Sequence, residues 1–214
     1  MEEIYIIGAG TYGEAMYELA EDCGYKVIGY LDEDNQKINT YVMGVKVVGK
    51  FSDYKDEEIR GKKFIVAIGN NKIRYDIMTR INNANGITPT LIHPTAKVSK
   101  SAKIGKGVYI QPGAVIWTKV IIEDFVIISP NTVIAHHTIL RKGCMISTMC
   151  AVGASLEIGE YTFFGFGSIA ITGMHRVGKN VYLGAGTTVT QDTEDNVLMV
   201  GTPARVIRQR DKMD

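Results

Sequence analysis

Val126-Ile127-Ile128-Ser129-Pro130-Asn131-Thr132-Val133-Ile134-Ala135-His136-His137-Thr138-Ile139-Leu140 is the stretch that decides the fold. An aliphatic side chain recurs at every sixth position, Ile128, Ile134 and Leu140, and four residues after each comes a small or β-branched one, Thr132, Thr138 and Cys144. The same phase runs back through Ile122, Ile116, Ile110 and Ile104 to Val98, and forward through Ile146, Val152 and Ile158 to Phe164. It slips by one residue across Thr172-Gly173-Met174-His175-Arg176 and resumes at Val177, Leu183 and Val189. A period of six fits neither the 3.6 of a helix nor the two of a long strand. It fits a short strand and a turn stacked as a solenoid, three units closing a triangular coil of about 18 residues. The aliphatic residue then points inward, the small one sits at the bend, and each strand pairs with its equivalent one coil on. A β-sandwich needs turn signals about every 8–12 residues and does not explain a strict six. About five coils of parallel β-helix are predicted.

The remaining composition narrows the class. The chain has 214 residues, 45% hydrophobic and 22% charged, a globular mix that excludes disorder, collagen and a disulfide scaffold. Lys plus Arg number 24 against 23 Asp plus Glu, so no basic field is available and no nucleic-acid partner is expected. Met1-Glu2-Glu3 lacks the basic start of a signal peptide, and no run approaches the ~18 apolar residues of a membrane span, so the chain reads as cytoplasmic. Cys23, Cys144 and Cys150 are expected as reduced thiols packing as small apolar residues. Glycine, at 23 residues, exceeds the ~7% usual for globular proteins and predicts ordered tight turns.

Residues 1–90 read as a separate parallel α/β domain. Ile4–Ile7 is a strand, Gly8-Ala9-Gly10-Thr11-Tyr12-Gly13 follows at once, and a helical pattern occupies 12–23. A second strand, Val27–Leu31, ends in Asp32-Glu33; a third, Phe64–Ile68, ends in Gly69-Asn70-Asn71 and leads into a helix carrying Ile73, Ile77, Met78 and Ile81. Glycines at a helix start let backbone N–H groups approach a pyrophosphate, and an acid after the second strand can accept a ribose hydroxyl. An NAD fold uses two such halves, but the six-residue repeat begins about thirty residues after the third strand, leaving room for one. A mononucleotide diphosphate is therefore favoured over NAD, with a purely structural tight turn as the alternative. Gly69-Asn70-Asn71 either flanks the same crevice or serves only as strand end and helix cap.

The order of a small Gly-rich α/β domain, Ile92-His93-Pro94, the repeats and a closing Gly201-Thr202-Pro203-Ala204 resembles the bacterial sialic acid O-acetyltransferase and nucleotide-sugar N-acetyltransferase (NeuD/PglD) family, over nearly the whole chain. The resemblance implies a Rossmann-like nucleotide-sugar-binding domain over 1–90. It implies a left-handed parallel β-helix over 91–214, an acetyl-CoA-binding acyltransferase domain whose short polar tail leaves the prism. A homotrimer binding acetyl-CoA between adjacent subunits is also implied. At the sugar nucleotide it places Gly8, Gly10, Thr11 and Gly13 on phosphates and Asp32 and Glu33 on ribose or base, with Gly69, Asn70 and Asn71 nearby. In the β-helix it implies His136 as general base, an oxyanion site at Gly153-Ala154, and Gly165, Gly184 and Gly186 beside the pantetheine arm. The reaction implied is acetyl transfer from acetyl-CoA to the 4-amino group of a UDP- or dTDP-linked 4-amino-4,6-dideoxy sugar. O-acetylation of a sialic acid or other sugar hydroxyl would use the same site, and a non-catalytic nucleotide-sugar-binding protein is the third reading.

Acyl transfer to an amine or hydroxyl needs a base that titrates near neutrality, which suits histidine. Four are present, His93, His136, His137 and His175. His136 and His137 share one hexapeptide between inward Ile134 and Thr138, so at least one projects outward, as base or as a surface turn residue. Relatives commonly carry an acid at the place of His137 and a histidine at the place of Met145. His137 can orient its neighbour only as a hydrogen-bond partner in one tautomer. His93 reads as a linker residue, and His175 lies in the phase slip, where an insertion must bulge. Each glycine named above can also simply make a turn. Arg176, Lys179, Arg205 and Arg208 either meet the CoA phosphates or form a solvated face. A zinc hydratase on such a coil needs three convergent histidines from adjoining coils, which the chain does not offer, so no metal is expected.

Overall fold

The computed structural model describes residues 1–210, and its contacts divide the chain into Met1–Leu91 and a second unit beginning at Ile92. In the first, β1 (Glu2–Ile7), α1 (Thr11–Asp22), β2 (Tyr25–Leu31), β3 (Tyr41–Val42), β4 (Val45–Gly49), α2 (Asp56–Ile59), β5 (Phe64–Val66) and α3 (Asn71–Asn83) follow in order. The sheet order is β3-β4-β2-β1-β5, with β4, β2, β1 and β5 parallel and β3 antiparallel to β4. This is one half of a doubly wound fold. Its order reverses at β1, so the crevice opens between the carboxyl ends of β1 and β5. Ile4, Ile6, Leu31, Phe64, Ile65 and Met78 are fully buried in this unit. The hairpin β3–β4 was not anticipated from the sequence. Its turn residues Met43 and Gly44 have φ of 50° and 76°, and methionine carries none of the Asn or Asp signature that usually announces such a turn.

The second unit is the six-residue repeat made solid. Two-residue strands form three parallel faces. One runs from Lys97–Val98 through Val115–Ile116, Val133–Ile134, Ala151–Val152 and Ile169–Ala170 to Thr188–Val189. The next runs from Lys103–Ile104 through Ile121–Ile122, Ile139–Leu140 and Glu157–Ile158 to Arg176–Val177. The third includes Tyr109–Ile110, Ile127–Ile128, Met145–Ile146, Phe163–Phe164, Tyr182–Leu183 and Val197–Val200. The second residue of each rung points inward: Ile116, Ile134, Val152, Ile122, Leu140, Ile158, Ile128, Ile146 and Phe164 make one core with the rest of the series, each worth roughly 1.5–3 kcal/mol of burial.

At the bends, small polar side chains satisfy the next coil. Thr132, Thr138 and Thr162 hydroxyls donate to the carbonyls of Ser147, Gly153 and Gly178 at 2.7–2.8 Å, and the Cys144 and Cys150 thiols face the carbonyls of Gly159 and Gly165. Burial pushes the Cys150 thiol up to about 11, which keeps it protonated and unreactive at neutral pH. The second turn residue of the corners has positive φ. Gly107, Gly113, Gly143, Gly167 and Gly186 take it, but so do Lys119, Phe125, Asn131, His137, Met149, Ser155, Tyr161 and Asn180. Glycine thus accounts for only part of the corners, and stacking holds the other residues in a conformation that costs an L-residue about 1 kcal/mol.

Two local features depart from a regular prism. In the phase slip, Thr172 bridges Met174 across Gly173 (φ 102°), Met174 turns into the core, and the Asp192 carboxylate accepts from the N–H groups of His175 and Arg176 at 2.6 and 3.0 Å. At the end, Arg205–Gln209 folds back antiparallel on Val197–Val200, pairing an edge that would otherwise be open, so the tail expected to leave the prism after Ile207 stays on it through Gln209. Residues 211–214 of the expected tail lie outside the described residues.

Candidate active site

His136 and His137 are the two turn residues at the corner between the first and second faces, and both are exposed. Thr118-Lys119 and Ala154-Ser155 occupy the same corner one coil before and one after. The His137 N–H donates to the Thr118 carbonyl and the Ser155 N–H to the His136 carbonyl, both at 3.0 Å. The left-handed φ of 61° at His137 turns its ring back onto its neighbour. The rings meet edge to face with centroids 5.2 Å apart, and the two Nδ1 atoms lie 3.1 Å apart. A groove of about 530 Å³ beside His137 is lined by Ser101, Lys103, Lys119, Ile121 and Ile139. A second, of about 500 Å³, is lined by Val98, Val115, Ile116 and Trp117, with Lys97, Ser99 and Thr118. Trp117, the single tryptophan of the chain, is 51% exposed with its ring centroid 6.4 Å from that of His136.

The expected oxyanion donors stack directly above. The Gly153 N–H is committed to the Ala170 carbonyl at 2.8 Å, whereas the Ala154 N–H donates to the Thr172 hydroxyl at 3.1 Å. A hydroxyl can rotate away and a ladder carbonyl cannot, so only Ala154 can offer its N–H to a ligand. Gly153 is glycine for packing, because a Cβ there would lie 2.5 Å from the Thr172 nitrogen. The pantetheine glycines divide the same way. Gly165 is buried, and a Cβ on it would sit 2.6 Å from the Leu183 carbonyl; one on Gly184 would press on Val200 at 2.8 Å. Gly186, at φ 68°, faces open space. Met145 points outward from the third face, away from the corner that carries His136.

In the first unit, the residues read for the nucleotide gather at the carboxyl ends of β1, β2 and β5. Gly10 ends the loop at the start of α1 with open space where a Cβ would go, while Gly8 and Gly13 are tight, a Cβ meeting the Ala67 carbonyl at 2.7 Å and the Gly8 carbonyl at 2.1 Å. Thr11 opens α1. Asn70 caps α3, accepting from the N–H groups of Lys72 and Ile73, and Asn71 is buried in its first turn, so Gly69 alone is the unencumbered part of that loop.

Asp32, expected at the ribose or base, is engaged by its own chain. Its oxygens accept from the Ala9 N–H at 2.8 Å, the Asp34 N–H at 3.0 Å and the Lys37 ammonium at 2.9 Å, so it ties the glycine loop to the chain after β2. Glu33 is likewise held by Ser52 through its N–H and hydroxyl. Burial pushes the Asp32 carboxyl up, but the Asp34 and Ala9 N–H groups and Lys37 outweigh it and hold the group below the ordinary aspartate value. A depressed carboxyl contributes stability that is complete above the unfolded-state value near 4 and lost as the pH falls through the lower folded value. Asp32→Asn is therefore expected to cost about 1 kcal/mol at pH 7 after solvent screening. Urea unfolding at pH 7 and pH 3 checks this, since the gap to wild type should narrow at the lower pH.

The basic stretch does not form one patch. Arg176 and Lys179 share a small cleft with Arg141, Glu157, Glu160 and Asp195, and Lys179 pairs with Asp195 at 3.9 Å. Arg205 and Arg208 project from the antiparallel closing strand. The surrounding carboxylates make Arg176 and Lys179 a mixed ionic surface rather than a phosphate site. His175 is almost fully exposed, 3.4 Å from Asp192, two coils beyond His136 on the same corner. The His93 imidazole accepts the Thr95 N–H in a local turn. Among the described residues, no three His, Cys, Asp or Glu side chains converge as a metal-ligand set, and no helix is long and apolar enough to cross a membrane.

A Rossmann-like half-domain joined to a left-handed β-helix of short parallel rungs, with histidines carried at one corner, defines an acyltransferase of the β-helix class. Residues 3–81 match the family model of the PglD N-terminal domain, and residues 86–170 that of the GMPPB C-terminal domain. PerB from Caulobacter crescentus, solved with CoA and GDP-perosamine, is 30% identical with a TM-score of 0.88 over 97% of this chain and 98% of its own. The acetyltransferase domain of PglB from Neisseria gonorrhoeae is also 30% identical, with a TM-score of 0.87 over 97% of this chain and 100% of its own. A galactoside O-acetyltransferase of Lactococcus lactis is 44% identical over 57 residues, a match spanning only 27% of either chain. The chain belongs to the NeuD/PglD family.

Proposed function

We propose that the protein transfers an acetyl group from acetyl-CoA to the 4-amino group of a nucleotide-linked 4-amino-4,6-dideoxy sugar, with His136 as general base. The observation that carries this reading is the exposed His136–His137 pair, set between two grooves and one coil below the Ala154 N–H. Acetyl-CoA supplies the acyl group as an activated thioester. His136 Nε2 takes the proton of the amine as its nitrogen attacks directly, Ala154 donates to the carbonyl oxygen as it gains charge, and His136 returns the proton to the departing sulfur. In PerB-type relatives the bound sugar nucleotide is GDP-perosamine, and variants with one histidine changed to asparagine or alanine were solved with CoA and that ligand. The nucleotide here is thus UDP, dTDP or GDP. Gly10 and the start of α1 are read as its phosphate contact, with Thr11 and Gly69 beside it.

We place the acyl donor between subunits of a homotrimer. One observation supports this arrangement. The first face exposes Val133, Ile169, Trp117 and Ile171, each between 37% and 51%, a stripe apolar enough to be an interface. The three cysteines are free, in keeping with work in the cytoplasm.

Release of thiol from acetyl-CoA, followed colorimetrically with UDP-, dTDP- and GDP-linked 4-amino-4,6-dideoxy sugars, tests the proposal. Release that requires an amino sugar is expected. Release only with a sialic acid or galactoside hydroxyl would replace it by O-acetylation, the reading that the galactoside O-acetyltransferase match favours. Nucleotide-sugar binding without release under any condition would leave a binding protein.

A further inference from the structure

We infer that His137 is the positioning residue that fixes the tautomer of His136: its Nδ1 accepts the His136 Nδ1–H and so leaves His136 Nε2 bare for the amine proton. The role of His136 in this inference rests on the proposed function; the hydrogen bond itself does not. With Nδ1 atoms 3.1 Å apart, one ring donates and the other accepts, and a neutral imidazole carries only one N–H. If His137 donated, His136 would hold its own proton on Nε2 and could take none. If His136 donates, its proton sits on Nδ1, His137 carries its proton on Nε2, and His136 Nε2 is a free base. When Nε2 takes the proton of the amine, His136 becomes an imidazolium that keeps its Nδ1–H bond to His137. Passing the proton to the thiolate restores the starting pair, so nothing is consumed.

The corner is built to hold this pair. The bond of the His137 N–H to Thr118 and of the Ser155 N–H to the His136 carbonyl pins both backbones into the stack, and the φ of 61° at His137 aims one ring edge at the other. The groove beside His137 presents Lys103 and Lys119, which can only donate, together with Ser101 and two isoleucines. No carboxylate lines it, so the imidazole of His137 does the orienting that an acid would otherwise do.

Long-range proton–nitrogen correlation on protein labelled with nitrogen-15 histidine reads each ring's tautomer without any substrate, and four histidines leave few enough signals for assignment by single substitution. The expected result is the Nδ1–H form for His136 and the Nε2–H form for His137. His137→Gly relieves the left-handed backbone and removes the acceptor. It should shift His136 towards the Nε2–H form and lower kcat by ~10–100-fold with KM unchanged, the size of loss usual for a group that orients another. His137→Asn tolerates the same φ and keeps an acceptor oxygen, and should recover most of the rate and the tautomer. An Nε2–H His136 in the wild type, or a His137→Gly protein with unchanged tautomer and kcat, overturns the inference. A wild type that acetylates no amino sugar yet shows the expected tautomers would overturn the proposed function instead, leaving the pair in place.

Discussion

His136→Ala is expected to reduce kcat for thiol release by ~10²–10⁴-fold while the protein melts at its wild-type temperature. The first half follows from the chemistry. Without a base, the ammonium that forms as the amine attacks must lose its proton to water, and positioned general bases are worth about that factor. The second half follows from the position. The His136 side chain is exposed, adds nothing to the prism core, and its contribution to the stack is a backbone carbonyl that accepts from Ser155 whatever the side chain. Loss of activity with loss of fold would mean that the corner is structural. Unchanged kcat would move the base elsewhere, with His175, two coils along the same corner beside Asp192, the next residue to replace.

An equally large effect, on stability rather than rate, is expected within the glycine loop of the first unit. Gly13→Ala puts a methyl group 2.1 Å from the Gly8 carbonyl oxygen, a backbone atom that cannot swing aside, with the Tyr30 ring at 3.4 Å behind it. Alanine is the better helix former by about 1 kcal/mol, but that gain is small against such an overlap. The variant should lose about 4 kcal/mol or more, a large share of the ~5–15 kcal/mol that a domain possesses. Gly10→Ala is the contrast, since nothing lies within 4 Å of its Cβ. It should melt within a few degrees of wild type yet bind a nucleoside diphosphate at least about tenfold more weakly, because the methyl group stands where a phosphate would approach the helix N-terminus. Thermal denaturation and calorimetric titration with UDP, dTDP and GDP separate the two effects. Unchanged binding by Gly10→Ala would show that the phosphates do not approach at that point.

The two glycines look alike in Gly8-Ala9-Gly10-Thr11-Tyr12-Gly13, which is the limit of what a motif conveys. A fingerprint records that glycine is needed, not whether the missing Cβ makes room for a ligand or for the chain's own backbone. The same holds for Gly153 and Gly165, whose neighbours are carbonyls and amides of the following coil, and for Gly184, which makes room for the Val200 side chain. It holds also for Asp32, whose place after β2 suits a ribose but whose oxygens are taken by Ala9, Asp34 and Lys37.

By itself the sequence determined the β-helix, its inward residues, the one-residue slip within Thr172–Arg176 and the separate α/β unit. Each of these is written in a period or a punctuation that repeats within a few residues, and burial of one apolar face per period leaves little choice of fold. Tertiary structure alone decided the β3–β4 hairpin, the return of Arg205–Gln209 onto the prism, the commitment of the Gly153 N–H, and the turning of His137 onto His136. The last two depend on hydrogen-bond partners a full coil away. The His137 ring is aimed by a backbone angle that stacking imposes on whichever residue reaches that corner, glycine or not.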